Sequence, residues 1–371
     1  MTYKVLAALA LLFLFGCGGG SGGGGNDLLP PVADQPPAQG SRILGMDIKE
    51  VPSVTYDLAY DEAAAMGVRE VSVPLVWAEL EPMVGSYVND LPATIEAYYP
   101  LKTGGLTLVL RPLDTPGPSL PTELVGLNFD NAAVIAAFEN FLIHLHGQLP
   151  TLNASGKLKA IHVGNEIGAH LGSDAAKWAQ WKTFFDAAKV KIETLWGTEI
   201  VVSSIIQFSD LNDTGKRAEY LNLLPSLDSA TLTYYPLKSN FTMHAPSVVA
   251  TDFNLMVSTI SDKPILLQEC GYPSSSINNS SELLQADFVS AVFDAWDTHR
   301  DHINLIDFAW QYDVVESQVD QWVLDFGMSG QPNENAFKQY LWTLGLKNYD
   351  TTEKLAMQRL RDELQAREWG L

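Results

Sequence analysis

Short apolar stretches alternate with amphipathic stretches eight times between residues 41 and 346, and no linker interrupts the series. The apolar stretches are rich in Val, Ile and Leu, which is typical of parallel strands that are buried on both faces. The amphipathic stretches have the spacing of helices. Together these patterns predict strands at residues 43–48, 69–76, 106–111, 159–168, 199–206, 230–235, 264–269 and 304–310.

Eight strand–helix units in one unbroken series predict a single α/β domain, a (β/α)8 barrel of the TIM type, over residues 41–346. A doubly wound parallel sheet is the competing arrangement. It would carry a glycine-rich fingerprint directly after the first strand, where this chain has only Gly45, Met46 and Asp47. We therefore expect the barrel.

A charged tail, residues 347–371, follows the barrel. Leu355, Leu360 and Leu364 stand in loose helical register within it, so the tail is predicted to be an amphipathic helix. Two arrangements are open at this point: the helix docks on the barrel, or it binds a partner.

The N-terminus has the features of a targeting segment. Lys4 precedes an apolar run over residues 5–15, which is short for a membrane span. Residues 14–17 resemble the lipobox of bacterial lipoproteins. This resemblance implies that residues 1–16 are a signal peptide and that Cys17 is lipidated. A plain secretory signal with an incidental cysteine is the alternative.

Residues 17–40 are predicted to be a tether. Residues 18–25 are glycine except for one serine, and the residues that follow, up to 39, are rich in proline. Such a segment cannot bury apolar surface, and as a random coil it would reach roughly 25 Å. We therefore expect an exported protein that a lipid anchors to the bacterial cell envelope, at the outer membrane or the cell surface.

The charge balance narrows the range of partners. Asp and Glu number 44 against 23 Lys and Arg, a formal net charge of −21, which disfavours nucleic acids and anionic membrane surfaces. The membrane is thus expected to be contacted only through Cys17, and the chain to be a monomer. Cys17 and Cys270 lack zinc-type spacing, and no cluster of His with carboxylates is evident, so no metal or cofactor is predicted.

Two predicted strands end on a glutamate, Glu166 in strand four and Glu269 in strand seven. The carboxyl ends of barrel strands surround one mouth, and these two strands lie on roughly opposite sides of it. Hydrolysis of a glycosidic bond with retention requires two carboxyl groups about 5 Å apart, a neutral acid and an ionised nucleophile. Their mutual repulsion raises the pKa of one and so separates the roles.

Four groups of residues near the predicted strand ends form a recognisable series. They are residues 45–47 (Gly-Met-Asp), residues 164–167 (Gly-Asn-Glu-Ile), residues 234–236 (Tyr-Tyr-Pro), and Glu269 with residues 271–273 (Gly-Tyr-Pro). In order and spacing this series resembles the clan A glycoside hydrolases, and among them most closely the endo-β-1,4-galactanases of family 53.

The resemblance implies a role for several residues. It makes Glu166 the acid/base, Glu269 the nucleophile and Asn165 a donor to the sugar 2-hydroxyl. It also implies that Tyr235, or less directly Tyr234, hydrogen-bonds the nucleophile. Trp310, by the same resemblance, is the floor of the subsite at the cleavage point.

The sequence departs from the clan pattern in its second strand. Clan members usually carry an arginine inside that strand, near the nucleophile, whereas this chain has Ser72 there and Arg69 at the start of the strand. Arg111, at the end of strand three, is the candidate that could supply a cation instead. The galactanase loop after strand three is not recognisable in residues 114–121.

Other residues near strand ends have two interpretations each. Aromatic residues there stack on sugars or pack the core; these are Trp77, Tyr272, Tyr312 and Trp322. Aspartates there bind hydroxyls or cap loops; these are Asp47, Asp114 and Asp313. For His162 we prefer a role in the core over a catalytic role, and Cys270 is interpreted as a small buried apolar residue.

These observations predict a retaining endo-β-glycosidase that acts on a neutral β-linked polysaccharide. Galactan comes first among the substrates, followed by mannan- and glucan-type polymers. An exo-acting β-glycosidase of the same clan is the first alternative. A catalytically silent carbohydrate-binding lipoprotein, which the missing strand-two arginine would favour, is the second.

Overall fold

The computed structural model describes residues 29–32 and 36–369. The predicted signal peptide, Cys17 and most of the predicted tether lie outside these residues. One parallel sheet forms the centre of the described part. Its strands are β1 (Ile43–Met46), β2 (Glu70–Val76), β3 (Gly105–Arg111), β4 (Leu158–Val163), β5 (Val201–Ser203), β6 (Ile205–Gln207), β7 (Ala230–Tyr234), β8 (Ile265–Cys270) and β9 (Ile303–Phe308).

The strand order of this sheet is β5-β4-β3-β2-β1-β9-β8-β7-β6, and every pairing is parallel. The two end strands, β5 and β6, are consecutive segments separated only by Ser204. Since the chain itself joins the two ends of the sheet, the nine segments occupy eight positions around a barrel. The predicted (β/α)8 fold is confirmed.

The predicted fifth strand differs from the structure because it is broken at Ser204. The Ser204 hydroxyl donates to the carbonyl oxygen of Val163 at 2.6 Å and accepts from the indole of Trp181 at 3.2 Å. As a result, β5 pairs with β4 and β6 pairs with β7. A single residue thus transfers the chain from one neighbour to the other.

Helices surround the sheet, and among the described residues none is both long and apolar enough to cross a membrane. Short 3-10 helices lie at Tyr99–Leu101, Thr122–Leu124, Leu224–Ser226, Pro246–Val248 and Ser276–Asn278. The α-helices are α1 (Tyr56–Ala65), α2 (Trp77–Leu80), α3 (Asp90–Tyr98), α4 (Ala132–Gln148), α5 (Pro150–Ser155), α6 (Gly168–Leu171), α7 (Ala175–Trp196), α8 (Phe208–Asn212), α9 (Thr214–Leu223), α10 (Val249–Thr259), α11 (Glu282–Thr298), α12 (Glu316–Asp325), α13 (Glu334–Trp342) and α14 (Leu355–Ala366).

Local sequence explains where the long helices begin. The Asn131 side chain caps α4 by accepting from the backbone of the second helical residue, and Asp174 caps α7 in the same way. The apolar faces of α4 and α7 then pack between the helices and the sheet. Phe138, Trp181 and Phe184 meet there with ring centroids 4.9–5.4 Å apart, and all three are buried.

The charged tail docks on the barrel, which decides between the two arrangements left open by the sequence. Helix α14 packs on α11 and buries Leu360 and Leu364. Arg367 forms an ion pair with Asp297 at 2.7 Å, and Arg42, just before β1, pairs with the same carboxylate at 2.5 Å. Because Arg42 precedes the first strand, this cluster lies at the amino ends of the strands, the face opposite the mouth.

Candidate active site

Glu166 stands on a tight turn that follows β4. Gly164 has φ +81°, and Glu166 itself has φ +47°, a left-handed conformation that is uncommon for a residue with a Cβ atom. A side chain at Gly164 would meet the ring of Trp181 at 2.5 Å. Glycine at 164 therefore lets the chain turn against Trp181, and the strained backbone at Glu166 aims its carboxyl group into the mouth.

The Glu166 carboxyl group is held by three donors. Thr115 Oγ1 and Gln207 Nε2 donate to Oε2 at 2.5 and 2.8 Å, and Thr233 Oγ1 donates to Oε1 at 2.6 Å. Burial raises the pKa of Glu166, the three hydrogen bonds lower it, and the nearby charge of Asp114 raises it again, with a net upward shift. The three hydrogen bonds therefore fix the orientation of the Glu166 carboxyl group, and its raised pKa favours the protonated form.

A β-bulge in β8 presents Glu269 to the same space. Pairing with β7 is regular up to Leu267, and Glu269 is then paired with Thr233, so Gln268 is an extra residue. Directly paired residues project from the same face of a sheet. Because the Thr233 hydroxyl reaches Glu166, Glu269 also faces the mouth.

Two groups contact the Glu269 carboxyl group. The Tyr235 hydroxyl donates to Oε2 at 2.8 Å, and the Arg111 guanidinium lies 3.9 Å from Oε1. Burial and the charge of Glu166 raise the pKa of Glu269 to about 7, against the lowering effects of Arg111 and Tyr235. The charge of Glu166 thus acts on Glu269, and the pKa values of both carboxyl groups are shifted upward.

Arg111 supplies the cation that the second strand lacks. It also donates to Asp114 at 3.0 Å, and Asp114 in turn accepts from the Asn165 side-chain amide at 2.9 Å. Arg69, the other candidate, donates to main-chain carbonyl oxygens of residues 64 and 68 and is not part of this network. The Asn165 side-chain oxygen is buried and has no partner within the described residues.

Replacing Arg111 by Gln is expected to move the acid limb of the kcat/KM–pH profile upward by about one unit. The pKa of Glu269 rises when its cation is removed, so an activity that requires the ionised Glu269 carboxylate is expected to be lost at a higher pH as the solution is acidified. Profiles measured with a soluble glycoside substrate test this. Arg69→Gln is the matched control and should leave the limb in place; an unmoved limb in Arg111→Gln would contradict the role of Arg111.

Three candidates from the sequence do not reach the mouth. Tyr234 is fully buried and its hydroxyl donates to Asp252 at 2.8 Å, because neighbouring residues of a strand project from opposite faces. Trp77 is fully buried, its indole donates to a glutamate at 2.8 Å, and it packs on α4. Tyr272 is 2% exposed, and its hydroxyl donates to the carbonyl oxygen of His244 at 2.7 Å. These are core residues, and their assignment to substrate binding is corrected.

Two other candidates lie at the strand ends on the side of β1 and β9. Trp310 is partly exposed, with Lys49 Nζ 5.1 Å and the ring of Trp322 5.5 Å from its ring centroid. Asp47 pairs with the same Lys49 at 2.9 Å. The structure therefore joins Asp47, Lys49 and Trp310 in one polar and aromatic wall.

The remaining ambiguous residues are resolved as structural. His162 is fully buried and its pKa is lowered by burial to about 4, so its ring is neutral near neutral pH. Cys270 is fully buried, and burial raises the pKa of its thiol. Tyr312 donates to Glu62 at 2.9 Å, and Asp313 pairs with a lysine of the tail. In the described chain no three His, Cys, Asp or Glu side chains lie close enough to hold a metal.

Sequence reasoning missed the three donors to Glu166. Thr233 could have been found, because it stands two residues before Tyr235 and so shares its face of the strand. Thr115 and Gln207 could not, since their positions depend on the loop after β3 and on the break at Ser204. That loop forms a short antiparallel pair, Leu113–Asp114 with Gly117–Pro118, which places Thr115 over the mouth.

No protein-family model and no curated protein matches this sequence. Solved structures do. A GH5_18 protein from Streptomyces cattleya, in complex with GlcNAc, superposes with a TM-score of 0.65 at 15% identity, over 91% of this chain and 82% of that one. The Ignisphaera aggregans GH53 catalytic domain superposes with a TM-score of 0.61 at 15% identity, over 90% and 99%. The exo-β-1,4-mannosidase Op5Man5 from Opitutaceae bacterium strain TAV5 superposes with a TM-score of 0.63 at 13% identity, over 91% and 62%.

The likeness is one of fold. These neighbours are clan A glycoside hydrolases, so the resemblance noted in the sequence is confirmed at the level of the TIM barrel. At identities of 13–15%, the similarity concerns the fold and not the activity.

Proposed function

We propose that this protein is a retaining β-glycosidase. The observation that carries the proposal is that two partly buried glutamates, Glu166 and Glu269, face the same mouth at the carboxyl ends of β4 and β8. Both pKa values are raised, which favours one proton shared between the two carboxyl groups, the state that a double displacement needs. Solved glycosidases with the same fold support it further.

The proposed reaction has two steps. In the first, the ionised Glu269 attacks the anomeric carbon while Glu166 gives its proton to the departing glycosidic oxygen, and a glycosyl ester forms on Glu269. In the second, Glu166 takes a proton from water, the water oxygen displaces Glu269, and both carboxyl groups return to their initial states. Asn165 is proposed to bind the sugar 2-hydroxyl.

The surroundings of the two glutamates support this division of roles. Glu269 lies 3.9 Å from the Arg111 guanidinium, which opposes the rise of its pKa to about 7 and so favours the ionised form over what burial and Glu166 alone would give. Glu166 forms no ion pair with a Lys or Arg in the part of the chain that the structure describes, and two of its three partners, Thr115 and Thr233, are hydroxyls that can accept as well as donate. A proton on Glu166 can therefore be accommodated without rearrangement.

For the substrate, we propose a neutral β-linked polysaccharide of galactan, mannan or glucan type, attacked internally. The net charge of −21 disfavours a polyanion. A second candidate, exo action on short manno-oligosaccharides, is favoured by two neighbours: one is an exo-β-1,4-mannosidase and another was solved with Manβ1-4GlcNAc.

A screen separates these candidates. The purified protein is incubated with β-1,4-galactan, β-mannan and soluble β-glucans, and with their tetrasaccharides, and new reducing ends and product lengths are recorded. Mixed oligosaccharides from one polymer would support endo action, and monosaccharide alone would support exo action. Binding without any new reducing ends would overturn the enzymatic proposal in favour of a carbohydrate-binding protein.

We also propose that Cys17 carries a lipid that anchors the protein to the bacterial envelope. Cells that express the protein with a labelled fatty acid should yield a labelled band in the membrane fraction. Cys17→Ala should lose the label and leave that fraction, whereas the matched variant Cys270→Ala should keep both. An unlabelled parent protein would indicate a plain secretory signal instead.

A further inference from the structure

The chain between β9 and α14 contributes an aromatic cluster to the mouth. Four of its members are buried residues of α12, α13 and the chain just beyond, namely Val323, Phe337, Tyr340 and Leu344. Partly buried residues from the mouth pack against them, namely Tyr235, Leu237, Phe241 and Trp310. The helices α12 and α13 therefore form one wall of the site and are not only an outer layer of the barrel.

Within this cluster Tyr340 comes nearest to the proposed chemistry. Its ring meets that of Tyr235 edge-on, with centroids 5.6 Å apart, and the Tyr235 hydroxyl lies 2.8 Å from Glu269. Tyr340 is only 7% exposed. Within the described residues its hydroxyl forms no hydrogen bond, yet it is not one of the buried polar atoms that lack a partner, so the oxygen is open to the mouth while the ring is covered.

The contact with Tyr235 places the Tyr340 ring one residue away from Glu269. Burial raises the pKa of this phenol well above its usual value, and the charges of Glu166 and Glu269 raise it further. This direction agrees with the ring contact, which puts Tyr340 on the side of the mouth where Tyr235 meets Glu269. At working pH the phenol is neutral, so it can donate one hydrogen bond and accept others.

We propose that Tyr340 is a substrate-binding residue whose hydroxyl hydrogen-bonds the sugar unit at the cleavage point. The inference rests on the proposed glycosidase function and names a further residue of that site. If Tyr340 binds the sugar in this way, helices α12 and α13 help to determine which sugar is accepted. The Tyr340 hydroxyl pairs with a sugar hydroxyl of one configuration and is left without a partner by a sugar of the other configuration.

Two other roles would account for the position of Tyr340. It could serve only to pack the cluster, in which case loss of the hydroxyl changes little. It could act only through Tyr235 and Glu269, in which case loss of the hydroxyl changes the chemical step and leaves sugar binding alone. A test therefore has to measure binding in the absence of turnover.

Tyr340→Phe keeps the ring and removes only the hydroxyl. Titration calorimetry with β-1,4-linked galactotetraose, mannotetraose and cellotetraose is performed on Glu269→Ala and on Glu269→Ala with Tyr340→Phe. For the tetrasaccharide that binds, we expect the second protein to bind about tenfold more weakly, and Tyr340→Phe alone to lose about tenfold in kcat/KM. The melting temperature should stay within about 2 °C of the parent.

Tyr220→Phe is the matched control. Tyr220, on α9, is fully buried and its hydroxyl also has no partner within the described chain, yet burial alone raises its pKa. This variant should bind and turn over like the parent. Equal affinity of the Glu269→Ala proteins with and without the Tyr340 hydroxyl would overturn the inference. Full activity of Glu269→Ala would instead overturn the proposed function, so the two failures are distinguishable.

Discussion

Glu269→Ala is expected to lower turnover by about four orders of magnitude or more, with the barrel still folded. The nucleophile forms the covalent bond of the first step, and water that enters the vacated space is a much weaker nucleophile than the carboxylate. The stability should change little, because removal of a partly buried carboxyl group with a raised pKa also removes its unfavourable desolvation.

Azide turns this variant into a test of stereochemistry. The small anion fits the space left by the Glu269 side chain and attacks from the same side, so an activated glycoside should yield a glycosyl azide of inverted configuration. NMR spectroscopy identifies the anomer, and circular dichroism checks the fold. Glu79→Ala, which removes an exposed glutamate of α2, is the matched control. Undiminished turnover by Glu269→Ala would exclude it as the nucleophile.

Glu166→Ala should lower turnover of natural oligosaccharides by about 10³- to 10⁴-fold, at the upper end of what general acid catalysis supplies. The loss should shrink sharply for aryl glycosides with an acidic phenol as leaving group, because such a phenolate departs without a proton. The basic limb of the pH profile should also disappear, since it reports the loss of the acid's proton.

Comparison of two substrate types makes this prediction specific. Rates for a tetrasaccharide and for a dinitrophenyl glycoside are measured side by side, with and without azide. In Glu166→Ala, azide attacks the glycosyl ester and should give a product of retained configuration, opposite to that from Glu269→Ala. An equal loss on both substrates would show that Glu166 is not the acid. An azide product of inverted configuration would indicate that Glu166 is the nucleophile and Glu269 the acid.

The barrel and its two glutamates were predictable because both depend on local pattern. Buried parallel strands are apolar along their whole length, so the abrupt change at Glu166 and Glu269 marks a strand end. Tyr234 and Tyr235 show the limit of the same logic: alternation says that only one can face the mouth, and only the observed register shows that it is Tyr235.

Other parts of the site depend on contacts between distant segments. The sequence of this strand does not predict the bulge at Gln268, yet the bulge determines the direction in which the Glu269 side chain projects. Arg111, on the neighbouring strand β3, takes the place of the arginine that β2 lacks. From the sequence alone, Arg69 and Arg111 are only two alternatives for this cation. Tyr340 lies 71 residues beyond Glu269 on the helix that closes the eight-unit pattern, where nothing local distinguishes it from a core tyrosine.

The ion pairs of Arg42 and Arg367 with Asp297 fix where the chain enters the barrel. Entry is at the amino ends of the strands, on the face opposite the mouth. With the lipid proposed on Cys17, the chain would leave the barrel toward the membrane from the face that lies away from the two glutamates. A polymer could then approach the glutamates from the side away from the membrane.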